Sequence, residues 1–421
     1  MFKKYKMKKC IPFFLMTSVF VYSQQRMTLE ECEESFQKNN LQLLAAQYNI
    51  SEAEADIIQA KIWDLPNLSI ELNAIDPENK KVFHIGSTGA KEVGIEQLFV
   101  LGRKRKNEVA FARSNKEIAE MQFQGLLVDL RSQLRSTFYN ILFEQKKEES
   151  LDVQLKYFTD LLNAYKVQTQ KGNVSLKDMV RLQALVINVQ NDKIEVSNNI
   201  IQQKQTLKLL TGSDTEILPE LSDDNMTQQL EKQPLISISE LQQKALENNA
   251  DYLTAKKITQ SGELNLKWQK SLSVPDLTIG TRWTQRGAAF DNQLALSFGI
   301  PIPLWNKNKG NQMKAEYQIQ ENKKTEERLK QELISQVDTA YQTWKNQYQQ
   351  YFSLKPQDLQ DMETVYNGIL KNFRKGNISL IEFTDFMESY KQSILQIYEI
   401  QKHIITSAEE INRLTQSKIF Y

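Results

Sequence analysis

The chain has 421 residues, 53 Lys and Arg against 52 Asp and Glu, 40% hydrophobic residues, a mean hydropathy of −0.52, and only 14 Gly, 9 Pro and 2 Cys. These values exclude a collagen, a disulfide scaffold and a polytopic helical membrane protein, because after the first residues no uncharged apolar run is long enough to cross a bilayer as a helix. So few Gly and Pro predict long elements.

At the N-terminus, Lys3, Lys4, Lys6, Lys8 and Lys9 form a basic region, Ile11 to Val21 an apolar one, and Val21-Tyr22-Ser23 a cleavage site. This reads as a signal peptide over 1–23, with the mature chain starting near Gln24. Its removal leaves 48 basic against 52 acidic residues, so no nucleic-acid charge footprint remains. Cys10 departs with it, and Cys32 as the one mature thiol permits no intrachain disulfide.

An internal repeat follows. Thr28-Leu29-Glu30-Glu31 with Asn39-Asn40 recurs as Ser237-Ile238-Ser239-Glu240 with Asn248-Asn249. Leu65-Pro66-Asn67-Leu68-Ser69-Ile70 recurs 209 residues on as Val274-Pro275-Asp276-Leu277-Thr278-Ile279, and Lys171-Gly172-Asn173-Val174-Ser175-Leu176 recurs 204 residues on as Lys375-Gly376-Asn377-Ile378-Ser379-Leu380. Three landmarks in one order point to one structural unit used twice, over 24–211 and 237–421, joined by an irregular acidic linker at 212–236.

Each unit opens on a section of helical spacing, 28–62 and 237–271, with Leu41, Leu44, Tyr48 and Ile57 as its apolar positions in the first. Paired strands come next, near 66–74 and 91–98 in the first unit and near 275–284 and 292–302 in the second, with apolar and polar residues alternating. Very long helices over 103–168 and 310–372 run to the Lys-Gly-Asn tips near 171–175 and 375–379, and helices over 175–211 and 379–417 return. Phe123, Leu127, Leu130, Leu134 and Phe138 keep coiled-coil spacing.

A helix of about 65 residues is roughly 100 Å long and must pack lengthwise against others. The strands have the length and alternation of tilted transmembrane β-strands, apolar toward lipid and polar toward a wet lumen. Four cannot close a barrel, so several chains must share one. The alternative is a pair of water-covered hairpins capping a coiled coil, but Trp63, Trp283 and Trp305 at or beside the strand ends favour insertion.

This layout resembles the TolC-type outer-membrane efflux protein family across nearly the whole mature chain. The resemblance is carried by the twofold order of helix, β-hairpin and helical hairpin, by Gly94-Ile95-Glu96-Gln97-Leu98-Phe99 leading through Gly102-Arg103-Lys104-Arg105, and by Gly299-Ile300-Pro301-Ile302-Pro303-Leu304-Trp305-Asn306-Lys307-Asn308-Lys309-Gly310. The second segment is similar to the heavy-metal (cation) efflux branch. What the resemblance implies is a mainly α fold with a small β part, assembled as a homotrimer whose 12-stranded β-barrel in outer-membrane lipid is continued by an α-helical barrel through the periplasm. A periplasmic adaptor and an inner-membrane pump would be its partners. Branch members often carry a lipid on a mature N-terminal Cys, which this sequence lacks.

On that reading the protein is a passive channel and not an enzyme, with no cofactor. Neither a nucleophile elbow nor a P-loop is present, and His84 and His403, the only histidines, form no metal cluster. His84 belongs to a polar extracellular loop over 75–90.

In the family, equivalent hairpin ends contact the adaptor, so Gly172, Asn173, Val174 and Ser175 with Gly376, Asn377, Ile378 and Ser379 are the adaptor-contact candidates. Turning the chain would alone require Gly and a capping Ser, yet Val174 and Ile378 put apolar residues at exposed tips. Asp178, Arg181, Glu382 and Asp385 are candidates for a periplasmic gate in which Arg181 pairs with Asp385 of a neighbouring helix; a solvated helix face is the alternative. Glu71, Glu96 and Arg282 are the charged lumen candidates. The run Arg103-Lys104-Arg105-Lys106 reads as a solvated or headgroup-facing collar. The other class of function left open is a soluble periplasmic coiled-coil scaffold or adaptor.

Overall fold

A computed structural model describes residues 25–221, 223–231, 236–286, 290–354 and 356–420. The segment 1–23, expected to be a signal peptide, therefore lies outside the described residues, as do parts of the linker. In chain order the elements are β1 (Gln25–Met27), α1 (Leu29–Asn39), α2 (Leu41–Lys61), β2 (Asn67–Leu72), β3 (Ile75–Asp76), β4 (Lys81–Val82), β5 (Ala90–Phe99), α3 (Lys104–Gln170) and α4 (Leu176–Thr211). There follow β6 (Ile217–Pro219), α5 (Asp223–Glu231), α6 (Ile238–Asn248), α7 (Ala250–Ser271), β7 (Leu277–Arg286), β8 (Phe290–Gly299), α8 (Lys309–Ser353), α9 (Pro356–Arg374) and α10 (Leu380–Thr415).

The helical part is a bundle of long hairpins. At 1.5 Å per residue the 67 residues of α3 span roughly 100 Å. Its far half pairs with α4, and its near half packs on α2, α7 and α10. Two apolar clusters hold these helices. One, around Phe138, Tyr139, Trp344 and Ile405, lies where α1, α3, α6, α8 and α10 meet. The other, around Phe158, Leu182, Phe383 and Met387, lies toward the tips, with the Phe373 and Phe383 rings stacked 4.1 Å apart. No helix among the described residues is long and apolar enough to cross a membrane.

The opening section of each unit is two helices, not one. Asn40 is at once the C-cap of α1 and the N-cap of α2: its Oδ1 accepts from the Leu43 N–H at 2.9 Å and its Nδ2 donates to the Leu210 carbonyl at 2.8 Å. Asn249 does the same between α6 and α7, with the Tyr252 N–H at 3.1 Å and the Leu414 carbonyl at 3.2 Å. A side chain that satisfies a free N–H and holds an orphan carbonyl fixes a bend at no cost in unpaired groups.

Three expectations need correction. The helix expected over 310–372 is broken, since α8 ends at Ser353 and α9 starts at Pro356, whose ring removes a donor and cannot sit in a helix interior. The linker is not wholly irregular: β6 pairs parallel with β1, and α5 follows. The last strand stops at Gly299 rather than at 302, because Pro301 and Pro303 have no N–H for a ladder. β5, expected near 91–98, runs one residue farther at each end, Ala90–Phe99.

The sheet order is β2-β5-β7-β8, antiparallel throughout. β2 and β8 are edge strands with no partner among the described residues on their outer sides. Within the loop between β2 and β5, β3 and β4 form a small hairpin.

Candidate functional site

Register puts paired residues on one face of an antiparallel sheet. One face therefore carries Leu68, Ile70, Val93, Ile95, Ile279, Trp283, Leu294, Leu296 and Phe298. It is bare, with Leu296 72% and Phe298 69% exposed. Isolated exposed leucines are ordinary, but a contiguous apolar sheet face is a contact surface.

The opposite face holds the predicted Glu71, Glu96 and Arg282 and adds Glu92, Thr284 and Arg286. Arg282 Nε lies 2.9 Å from Glu92 Oε1, and its Nη2 lies 3.8 Å from Glu96 Oε1. Arg286 Nη2 reaches Glu92 at 3.9 Å. Glu71 stands opposite Glu92 in register, without an ion pair among the described residues. Glycines make the room: Arg282 is paired with Gly94 and Glu96 with Gly280, where an added Cβ would meet the Glu96 Cγ at 2.7 Å. Sequence reasoning missed Glu92, and the signal that would have found it was this alternation of a glycine with a long charged residue across the strand pair.

His84 sits, as expected, in the loop between β2 and β5, but it is buried. Its Nδ1 meets Asp76 Oδ2 at 2.6 Å and its Nε2 meets Thr88 Oγ1 at 3.0 Å. Asn79 donates twice to the same carboxylate. These hydrogen bonds, His84 first, hold the Asp76 carboxyl well below the usual range. The residues clasp the loop shut.

Both tips turn in the same way. Gly172 (φ 77°) and Gly376 (φ 75°) take the left-handed conformation, and the Asn173 and Asn377 N–H groups donate to the Gln168 and Asn372 carbonyls, each at 2.9 Å. Ser175 and Ser379 cap the returning helices through the Asp178 and Glu382 N–H groups. The two acids return the contact: Asp178 Oδ2 accepts from the Ser175 hydroxyl at 2.7 Å, and Glu382 closes a full capping box with Ser379. The Ser379 backbone N–H, then its hydroxyl, holds the Glu382 carboxyl below its usual value.

Two expectations at the tips change. Val174 and Ile378 are half-buried rather than exposed, and Ile378 packs on the Phe383 cluster. The exposed apolar residues there are Leu176, Val180 and Ile381. Arg181 and Asp385 are exposed, and neither makes an ion pair among the described residues.

Farther up, charges are buried between the helices. Arg135 bridges Glu33 at 2.5 Å and Glu409 at 3.3 Å, and Lys147 meets Glu144 at 2.9 Å and also Glu399. Removing one partner of such a pair would leave the other charge buried and uncompensated. The Cys32 thiol is fully buried, and burial, then Glu31 and Glu33, pushes its pKa up to about 12, so it is inert.

A short two-faced sheet carried on helices of this length defines a wall segment of a membrane-anchored helical conduit. The outer membrane efflux protein family matches residues 34–213 and again 241–415, and the chain belongs to that family, the TolC-type channels of the outer membrane. A curated relative, the cobalt-zinc-cadmium resistance protein CzcC of Cupriavidus metallidurans, is 22% identical over 392 residues, covering 92% of this chain and 90% of its own. This agrees with the likeness to the heavy-metal branch seen at Gly299 to Gly310. Among solved structures, CusC superposes with a TM-score of 0.75 at 16% identity, covering 92% of this chain and 91% of its own. The Campylobacter jejuni CmeC outer membrane channel superposes at 0.74 with 13% identity, covering 92% and 85%. The protein is an outer-membrane efflux channel that extends into the periplasm.

Proposed function

We propose that three copies of this chain close a 12-stranded barrel in the outer membrane, continued by an α-helical barrel, and that the trimer passively conducts cargo received from a periplasmic adaptor and an inner-membrane pump. The observation that carries the reading is the sheet itself, with its bare apolar face, its charged face and its two open edges. Unpaired backbone groups are intolerable in hydrocarbon, so β8 of one copy must pair with β2 of the next. Three copies then supply 12 strands, within the range of known barrels.

The chain is built as one unit used twice, over 24–211 and 237–421. The matching bonds of Asn40 and Asn249, and the matching tip turns, support this duplication.

The cargo is a metal cation. Support comes from the name of the relative from Cupriavidus metallidurans, and from a lumen face on which Glu71, Glu92 and Glu96 outnumber Arg282 and Arg286. The tips at 172–175 and 376–379 engage the adaptor, with Leu176 and Ile381 as their exposed apolar contacts. Arg181 pairs with Asp385 of a neighbouring copy to hold the entrance shut; Asp178 and Glu382 cap their helices and act only through the shape of that tip.

Fractionation followed by unboiled gel migration tests the assembly: an outer-membrane, heat-dissociable trimer is expected, and a soluble monomer overturns it. Closed-state conductance in planar bilayers should rise in Arg181→Ala and Asp385→Ala, and unchanged conductance would sink the gate. A deletion strain should gain sensitivity to zinc, cobalt or cadmium rather than to drugs.

A further inference from the structure

We propose that the inner end of the sheet is a binding surface for anionic phospholipid, formed by Arg103, Lys106, Lys307 and Lys309 around the exposed Trp63 and Trp305. The inference rests on the barrel reading above, which puts this end of the sheet at the periplasmic leaflet.

Topology brings the residues together. β2 and β7 start, and β5 and β8 end, at one end of the sheet. The segments after β5 and after β8 are both fastened to the segment before β7. The Leu101 N–H donates to Asp276 Oδ1 at 3.0 Å, Lys104 pairs with Asp276 at 2.7 Å, and the Ser273 hydroxyl donates to the Lys307 carbonyl at 2.8 Å. Gly102 lies directly against Val274.

The charge there is one-sided. Residues 61–66, 100–109, 272–276 and 300–309 hold seven cations against three carboxylates, Asp64, Glu108 and Asp276. Asp276 is taken by Lys104, and the Arg105 guanidinium lies 4.0 Å over the Trp63 ring. Arg103, Lys106, Lys307 and Lys309 are exposed and make no ion pair among the described residues. A solvated surface usually mixes signs, and this one is mostly basic.

Apolar side chains stand beside these cations. Trp305 is 91%, Leu65 85% and Leu304 63% exposed. Tryptophan prefers the headgroup level, and leucine beyond it suits acyl chain. Unpaired cations next to such residues match a lipid whose phosphate carries net charge better than a zwitterion. Each cation near an anionic surface contributes about a fivefold preference.

The test uses the full-length trimer in detergent, given phosphatidylglycerol and phosphatidylethanolamine in equal amounts, with bound lipids counted by native mass spectrometry. The wild type should retain phosphatidylglycerol at least several-fold over phosphatidylethanolamine. Joint substitution of Arg103, Lys106, Lys307 and Lys309 by Gln should bring the ratio to parity. A control set, Lys156, Lys166, Lys171 and Lys371 to Gln on the helical hairpins, should leave it unchanged. Parity in the wild type, or an equal loss in the control, overturns the proposal while leaving the barrel intact. A protein that fails to insert into vesicles at all overturns both. Binding of the wild type to peptidoglycan sacculi, lost in the collar variant without any lipid preference, would assign the surface to cell-wall polymer instead.

Discussion

Arg282 on β7 holds Glu92 of β5 at 2.9 Å across the seam where the two halves of the chain meet in one sheet. Glu92 is only 12% exposed, so the contact shields one carboxylate of the charged face; Glu96 is half-buried with a longer contact to the same arginine, and Glu71 stays exposed. Arg282→Ala removes one positive charge per chain and uncovers Glu92. Reversal potentials in a salt gradient should move toward the cation value, and Glu92→Gln should move them back. Because the arginine is half-exposed, the pair contributes about 1 kcal/mol or less, and heat dissociation of the trimer should hardly change.

Asn40 makes two contacts that different substitutions separate. Asn40→Ala loses the cap and leaves the Leu210 carbonyl unpaired, for a cost of about 2 kcal/mol. Asn40→Ser keeps an acceptor for the Leu43 N–H and should cost about half as much. Asn40→Asp keeps the acceptor too, yet sets a buried carboxylate against a carbonyl 2.8 Å away, and should be at least as damaging as alanine. Thermal loss of helical signal from the solubilised protein ranks the three.

Much of this was legible in the sequence, for reasons that differ by element. The long helices announce themselves by heptad spacing sustained over many turns, and the strands by strict alternation between Pro and Gly. The bend at Asn40 was hidden because Asn caps a helix with the same letter it uses in solvated turns; only the carbonyl of Leu210, 170 residues away, reveals the role. β1 and β6 have three residues each, too few for a period to appear. Asp178 and Glu382 looked like gate charges because spacing places them on a helix face, but position three of a helix that starts at Ser is also where a capping acid belongs.

Glu399 gives the helical part a pH limit. Burial raises its carboxyl pKa, but hydrogen bonds from Lys147 and Lys402 outweigh burial and hold it at about 2, below the ordinary 4.5. A depressed carboxyl contributes stability that is fully present above its unfolded value and is lost as pH falls through the folded one. Unfolding temperature should therefore drop between pH 4.5 and pH 2 in the wild type and more gently in Glu399→Gln. At neutral pH the variant should be weaker by about 2 kcal/mol, since buried Lys147 keeps only Glu144.

At the tips, shape and contact can be told apart through glycine. Gly172 and Gly376 have positive φ, and nothing lies within 4 Å of where a Cβ would stand. Alanine there meets backbone strain of about 1 kcal/mol and no clash. The D-enantiomer at the same position, introduced by semisynthesis, would remove the strain and keep the methyl group. If the tips serve the adaptor through their backbone shape, Gly172→Ala should lower adaptor cross-linking and the D-alanine form should restore it. If instead the surface of the tip is what the adaptor reads, the two forms should be equally impaired, and Leu176→Ser should match them without altering the turn. Site-specific cross-linking to the adaptor in whole cells, paired with helical signal from the purified protein, separates these outcomes. The same substitution at Gly376 then asks whether the two halves of the chain meet equivalent partners.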